Sequence, residues 1–131
     1  MNITVLVRPR GSGKTTEAVN WLMKWPRGNN DHSRVFFVRN QVHRRYVEKI
    51  IKSTEHDSSV AVAVASTVKG IQPEYVVIDD ADQFGDEQWN DIWPALMACT
   101  KEVLIVCTDG NNAIVKNLLN IKNRGGRDYA C

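Results

Sequence analysis

The chain has 131 residues, of which 43% are hydrophobic, and a formal net charge of +2 at pH 7. This length and composition indicate one globular domain that is large enough to bury a core. The net charge is too small to imply nucleic-acid binding by itself, and no apolar run approaches the length that spans a membrane. We therefore expect no membrane partner.

The three cysteines, Cys99, Cys107 and Cys131, are odd in number and lack the spacing of a metal site. A reducing compartment is the simplest setting for such a set. The first residues lead directly into a predicted strand, so we expect no signal peptide and a cytoplasmic location.

Apolar runs alternate along the chain with segments of helical periodicity. In chain order, the predicted elements are a strand at 3–7, a helix from about 14 to 25, a strand at 34–39, a helix at 41–53, strands at 59–66 and 74–80, a helix at 86–99, a strand at 102–108 and a helix at 113–121. The apolar face of the helix at 41–53 comprises Val42, Tyr46, Val47, Ile50 and Ile51. Pro94 predicts an irregularity in the helix at 86–99. This alternation favours an α/β fold whose parallel sheet is covered on both faces and binds ligands at the carboxyl ends of its strands.

A phosphate-binding loop is predicted between the first strand and the first helix, in the segment RPRGSGKTT. Gly11 and Gly13 allow backbone angles that a Cβ atom would block, so that N–H groups can surround an anion at the helix N-terminus. Lys14 would then contact the β- and γ-phosphates, and the Thr15 hydroxyl would bind Mg²⁺. Without a ligand, the Lys14 side chain is expected to face solvent. The loop residues expected to bind the nucleotide are Gly11, Ser12, Gly13, Lys14, Thr15 and Thr16.

The loop departs from the pattern G-x-x-x-x-G-K-[ST] at its first position, which is Arg8. The missing glycine relaxes only the start of the loop, because the strand, the Gly-Lys-Thr and the helix keep their order. The alternative is a chance Gly-Ser-Gly turn.

Acidic residues follow the strand at 74–80, in the segment YVVIDDADQ. Asp79 comes at the end of a buried strand, where it would bind Mg²⁺ through a water molecule, opposite Thr15. Asp80 would orient the attacking water as a catalytic base, and Asp82 adds a third carboxylate. These acidic groups repel one another, so a bound cation would relieve the repulsion. The alternative is a solvated acidic turn that caps a helix.

These motifs resemble those of P-loop NTPases of the helicase-like, additional-strand class, and most of all the ATPase domain of the large terminase subunit of tailed phages. In that family the loop typically has an arginine, two variable residues and then Gly-Lys-Ser/Thr, and RGSGKT fits this form from Arg10 to Thr15. The resemblance implies ATP and Mg²⁺ as cofactors. It places Arg10 among the residues that bind the nucleotide and gives it a catalytic role in cis beside Lys14 and Asp80. It also implies DNA, a DNA-processing protein or further copies of the chain as partners, and the host cytoplasm as the location if the protein is viral.

The resemblance also implies a fold. It predicts a three-layer α/β sandwich over residues 1–122, with a five-stranded, mainly parallel sheet. The glycines and basic residues that follow predict a flexible basic tail at 123–131. The expected strand order is 3-2-4-5-1 in chain numbering, which places the strands as 61–65, 35–38, 75–79, 103–107 and 3–7.

Two further segments carry the resemblance. VFFVRN resembles the family's strand that leads an arginine into the next helix, and VLIVCTDG resembles the strand whose threonine couples nucleotide state to movement. Thr108 would then face the γ-phosphate, with a strand-end turn at 108–110 as the alternative. The chain departs from the family at Asp80, where the family usually has Glu. The nucleotide site carries over, whereas packaging activity does not.

Three function classes stay open. The first is a Mg²⁺-dependent ATPase of a DNA-related assembly, either packaging or helicase-like. The second is a nucleotide-binding regulatory protein with little or no hydrolysis, which the short side chain of Asp80 suits. The third, ranked last, is a small kinase, because no inserted segment is long enough for a lid.

Other side chains have plainer alternatives. His43, Arg44 and Arg45 are candidates for contact with a phosphate backbone or, with Arg124, for an arginine finger supplied to a neighbouring subunit. A solvated helix face is the alternative for the first three. Two tryptophan pairs with i, i+4 spacing predict packing contacts, namely Trp21 with Trp25 and Trp89 with Trp93.

Overall fold

The computed structural model describes residues 2–9, 11–25, 33–54, 60–64, 72–108 and 116. Three predictions lie outside these residues: the catalytic role of Arg10, the candidate Arg124 and the tail at 123–131. The predicted helix at 113–121 is described only at Lys116, which is helical.

Five strands and three α-helices alternate along the described chain. Their bounds are β1 Asn2–Val7, α1 Lys14–Met23, β2 Arg34–Val38, α2 Gln41–Thr54, β3 Val60–Val64, β4 Tyr75–Ile78, α3 Asp86–Ala98 and β5 Glu102–Cys107, with a 3₁₀ turn at Ala81–Gln83. The strands are rich in β-branched residues, which suit a buried sheet. Each of these strands and α-helices corresponds to one predicted from the sequence, with ends that shift by no more than two residues.

Helix α3 continues through Pro94 without a break, so the irregularity predicted before this proline does not interrupt the helix. Proline removes one backbone donor, and the carbonyl of Asn90 therefore loses its helical hydrogen bond. The apolar side chains of α3 pack on the sheet on both sides of the proline, at Trp89, Ile92 and Leu96. This tertiary packing stabilises the helix across the lost bond.

The five strands form one sheet in the order β1-β5-β4-β2-β3. Read from the β3 edge, the order is β3-β2-β4-β5-β1, so the neighbouring strands are those expected from the sequence. All four described strand pairs are parallel. The carboxyl ends of the five strands therefore lie at one end of the sheet, where the loop after β1 and the acidic residues after β4 come together.

Helices cover both faces of the sheet. On one face α3 packs against strand residues that include Val35 and Phe37, and on the other α1 and α2 pack against Phe36 and Val38. Neighbouring residues of β2 belong to different core clusters because side chains alternate along a strand. The result is an α/β fold of three layers. None of the described helices has the length and apolar composition needed to cross a membrane.

One of the two predicted tryptophan pairs forms. The rings of Trp21 and Trp25 meet edge to face with centroids 5.7 Å apart, and Trp25 also stacks on the first residue of β4 at 5.0 Å. Trp89 packs into the core instead, with its ring contact to Phe84 at 5.8 Å, while Trp93 is 37% exposed. The stacked Trp25 attaches the end of α1 to the start of the strand that carries the acidic residues.

Candidate functional site

A cleft of about 550 Å³ opens at the carboxyl end of the sheet. Parallel sheets bind ligands at this end, and a cleft of this volume accommodates a small molecule. Its lining residues come from the loop after β1, the start of α1, the end of β2, the start of α2 and the residues after β4. They are Gly11, Gly13, Lys14, Thr15, Arg39, Asn40, Val42, His43, Tyr46 and Asp80.

The loop after β1 has left-handed backbone at Gly11 and Gly13, with φ of 75° and 78°. Residues with a Cβ atom rarely adopt these angles, so this path of the chain depends on glycine. The Ser12 hydroxyl donates to the carbonyl of Pro9 at 2.7 Å and closes the turn. Gly13 then precedes α1 without a side-chain cap. The first N–H groups of α1 are left free of helical partners and are suited to an anion.

Arg8 occupies the position of the missing glycine and is not among the residues that line the cleft. Its backbone N–H donates to the carbonyl of Cys107 at 3.0 Å, which extends the pairing of β1 with β5. Its guanidinium lies 3.2 Å from a carboxylate oxygen of Glu17 on α1, and both side chains are more than 40% exposed. Such an exposed ion pair contributes little to stability. The side chain is accommodated because it turns away from the loop.

A buried hydrogen bond joins the loop to the acidic strand end. The hydroxyl of Thr15 donates to Oδ2 of Asp79 at 2.8 Å, although the two residues are 64 positions apart. Asp79 is fully buried, and Thr15 is 8% exposed. The other carboxylate oxygen of Asp79, Oδ1, is buried and has no hydrogen-bond partner. Because an unpaired buried carboxylate oxygen is costly, its presence indicates a place for a bound partner.

Asp80 is held by two cations. Its Oδ1 lies 2.7 Å from Nζ of Lys14, and its Oδ2 lies 3.3 Å from Nη2 of Arg39. The side chains of Lys14 and Asp80 are each only 14% exposed. The prediction that Lys14 faces solvent is therefore wrong, because the carboxylate after β4 lies within reach and pairs with its charge. The role of Arg39 was missed, although its position directly after a buried strand was a signal for it.

The backbone around Asp80 is unusual. Asp80 has a positive φ of 54°, which no other non-glycine residue in the described part of the chain shows. A left-handed non-glycine residue costs about 1–3 kcal/mol, and such residues cluster at functional sites. The neighbouring end of β2 is fixed by Gln88, whose amide donates to the carbonyl of Arg39 at 2.8 Å while its Oε1 accepts the N–H of Gly85 at 3.0 Å.

His43 is buried in the site, with 6% exposure, so its placement on a solvated helix face is wrong. Its Nε2 lies 2.8 Å from Oδ2 of Asp79, and its Nδ1 accepts the N–H of Arg39 at 3.2 Å. The available signal was its spacing, because His43 precedes the buried residues Val47 and Ile51 by one and two helical turns.

The residues that α2 exposes also differ from those predicted from its apolar periodicity. Val42 and Tyr46, expected on the apolar inner face, are 74% and 54% exposed and line the cleft. Arg44 forms an ion pair with Glu48 one turn later, at 3.5 Å, and Arg45 is exposed.

Three residues expected to bind a nucleotide are not among those that line the cleft. The hydroxyl of Ser12 is used within the loop, and Thr16 is exposed on α1. The N–H of Thr108 donates to Oδ2 of Asp82 at 3.3 Å, which connects the end of β5 to the acidic turn. The cleft thus brings together Gly11, Gly13, Lys14, Thr15 and Asp80, with Asp79 directly beneath.

Three titratable side chains meet at this point of the cleft. One nitrogen or oxygen atom each from His43, Asp79 and Asp80 lies within 4.8 Å of the others, and Oδ1 of Asp79 has no hydrogen-bond partner. A scan against models of known protein families returns no match, and a search of curated proteins finds no match either. The function therefore has to be argued from this geometry.

Proposed function

We propose that this chain is an ATP-binding P-loop protein of the helicase-like class that binds Mg²⁺ and hydrolyses ATP. The observation that carries the proposal is the hydrogen bond from Thr15 to Asp79. It connects the end of a glycine-rich loop with the buried carboxylate at the end of a different strand. A chance Gly-Ser-Gly turn gives no reason for its following threonine to contact that carboxylate.

Phosphate binding is supported by the loop and by two cations. Gly11 and Gly13 give the loop its left-handed angles immediately before the N-terminus of α1, where the first backbone N–H groups of the helix favour an anion. Lys14 and Arg39 line the same cleft, so a bound triphosphate would meet positive charge on both sides. Lys14 would exchange the carboxylate of Asp80 for the β- and γ-phosphates.

Metal binding is supported by the oxygen atoms below the loop. Thr15 offers a hydroxyl oxygen, and Asp79 offers a carboxylate whose Oδ1 is free of hydrogen bonds. Mg²⁺ prefers oxygen ligands and usually keeps several waters between itself and the protein. When bound to the phosphates, the ion neutralises charge that develops during phosphoryl transfer. Thr15 and Asp79 are the residues that would hold it.

The state of Asp80 separates hydrolysis from binding alone. A catalytic base must accept a hydrogen bond and then a proton from the attacking water, and each oxygen of Asp80 already contacts a cation, Lys14 or Arg39. If Lys14 moves to the phosphates, one oxygen loses its cation, so that ATP binding would free the base. If both ion pairs persist, the protein is a nucleotide-binding regulator with little or no hydrolysis, and the double ion pair is the observation that favours this second candidate.

The wider setting rests on the resemblance to helicase-like motors and terminases. It supports a cytoplasmic, DNA-related assembly whose partner is DNA, a DNA-processing protein or another copy of the chain. Related phosphoryl-transfer enzymes complete their sites with an arginine, supplied in cis or by a partner. Arg39 is a cis candidate by its position in the cleft, and Arg44 and Arg45 are candidates in trans.

Calorimetric titration of ATP in the presence of Mg²⁺ tests the proposal with two matched lysine variants. Lys14→Ala should abolish measurable binding because it removes the loop cation, whereas Lys49→Ala, at an exposed position of α2, should bind as the wild type does. Circular dichroism of both variants controls for folding. Equal ATP affinity of the two variants would refute the site, and phosphate release by the wild type then separates the ATPase from the regulator.

A further inference from the structure

We propose that His43 is a positioning residue that holds the Asp79 carboxylate by donating a hydrogen bond from Nε2, so that Oδ1 is presented to the cation. The inference rests on the proposed function, since it deepens the account of the same Mg²⁺ site. It concerns how the carboxylate is oriented and gives His43 no contact with the nucleotide or with the metal ion.

The hydrogen bonds of the imidazole fix where its proton lies. The backbone N–H of Arg39 can only donate, and it points at Nδ1 of His43 at 3.2 Å. Nδ1 therefore carries a lone pair, and in the neutral ring the proton is on Nε2. The 2.8 Å contact from Nε2 to Oδ2 of Asp79 is then a hydrogen bond that His43 donates to a buried carboxylate.

Two donors converge on one oxygen of Asp79. Thr15 and His43 both donate to Oδ2, each at 2.8 Å. A single donor would leave the carboxylate free to rotate about that contact, whereas two donors from different helices fix its plane. Oδ1 is then the oxygen left without a partner in the protein. The neutral donors orient the group and leave its negative charge to be balanced by a cation.

The same argument excludes His43 as a metal ligand, although it belongs to a cluster with Asp79 and Asp80. Ligation through Nε2 would need the proton on Nδ1, where it would oppose the N–H of Arg39. The site thus offers oxygen atoms alone, which favours Mg²⁺ over softer cations such as Zn²⁺.

Two conservative variants separate the two hydrogen bonds of His43. In His43→Gln, the side-chain amide reaches the place of Nε2 and can still donate to Asp79. In His43→Asn, the shorter amide reaches the place of Nδ1, so it can accept from Arg39 but cannot reach Asp79. ATP affinity is measured by calorimetry with Mg²⁺ and with EDTA, because the ratio of the two affinities isolates the contribution of the metal ion.

The Mg²⁺ enhancement is the ratio of the ATP affinity measured with Mg²⁺ to that measured in EDTA. We expect His43→Asn to lower this ratio about 10–100-fold, the usual effect of removing a residue that orients a metal ligand. Its affinity in EDTA should fall by less than its affinity with Mg²⁺, and His43→Gln should retain most of the enhancement. ¹⁵N NMR of the ligand-free wild type should show the Nε2–H tautomer. Thermal melts of both variants control for loss of the fold.

Several results would overturn the inference. They are full Mg²⁺ enhancement in folded His43→Asn, the Nδ1–H tautomer in the wild type, or stoichiometric Zn²⁺ binding that disappears in both variants. A wild type that shows no Mg²⁺ enhancement would refute the proposed function itself, and the role of His43 with it. Enhancement in the wild type that survives in His43→Asn would refute the role of His43 alone.

Discussion

Replacement of Thr15 by valine removes one hydroxyl from the buried contact with Asp79 and keeps the shape of the side chain. The lost hydrogen bond is 2.8 Å long and ends on a carboxylate that is fully buried. Hydrogen bonds to charged groups contribute about 1.5–3 kcal/mol, and water cannot replace this donor at a buried oxygen. We therefore expect the free energy of unfolding of the ligand-free protein to fall by about 1.5–3 kcal/mol.

Thr16→Val is the matched control. It makes the same chemical change at the next position of the same helix, where the side chain is exposed, so its effect should stay within about 0.5 kcal/mol. The assay is urea denaturation followed by circular dichroism, without nucleotide or Mg²⁺. With a slope of about 1–3 kcal/mol per molar urea, the midpoint of Thr15→Val should fall by roughly 1 M.

The comparison of the two valine variants tests whether the contact between Thr15 and Asp79 stabilises the fold. If Thr15→Val and Thr16→Val lose the same free energy, the contact with Asp79 contributes nothing measurable to the fold. A loss confined to Thr15→Val supports the contact. That variant should also lose Mg²⁺-dependent ATP affinity, because it removes the hydroxyl proposed to bind the ion and leaves Asp79 with a single donor. An unchanged Mg²⁺ response would separate the structural bond from the proposed metal site.

Two further predictions follow from the charged and buried groups. Asp80→Asn should raise ATP affinity in EDTA, because Lys14 and Arg39 lose the carboxylate that neutralises them. It should also lower turnover, because an amide cannot act as the base. Calorimetry measures the affinity and phosphate release the turnover, and weaker ATP binding would contradict the reasoning. Cys99 should resist iodoacetamide at pH 8 until the chain unfolds, because burial raises the pKa of its thiol and leaves little thiolate. Peptide mass mapping identifies the modified cysteines, and rapid labelling of folded Cys99 would refute this.

The strands and the main contact of the site were predictable because their signals are local. Four apolar residues of β4 lead directly to Asp79, and three consecutive residues, Gly13, Lys14 and Thr15, join a strand to a helix. Parallel strands then bring both segments to one end of the sheet. The fold therefore follows from patterns of a few residues, together with the strand order that the resemblance implies.

The walls of the cleft were harder to predict because helical periodicity counts apolar residues alone. That count placed Val42 and Tyr46 on the inner face of α2, yet both are exposed, and the helix is turned so that His43 lies inward. A histidine is tolerated there because Asp79 and the N–H of Arg39 use both of its ring nitrogens. Its burial depends on Asp79, which is 36 positions away, and no count within α2 contains that partner.

The two consecutive aspartates differ most in the charge of their partners. Asp79 receives hydrogen bonds from neutral donors, which leave its negative charge uncompensated and able to attract a cation. Asp80, turned aside by its left-handed backbone, is neutralised by Lys14 and Arg39. In the proposed reaction the first carboxylate would take the metal ion, whereas the second would become a stronger base once one of its two cations leaves. A triphosphate that draws Lys14 away would supply that step, so the order of events in the proposed reaction follows from the partners of two adjacent residues.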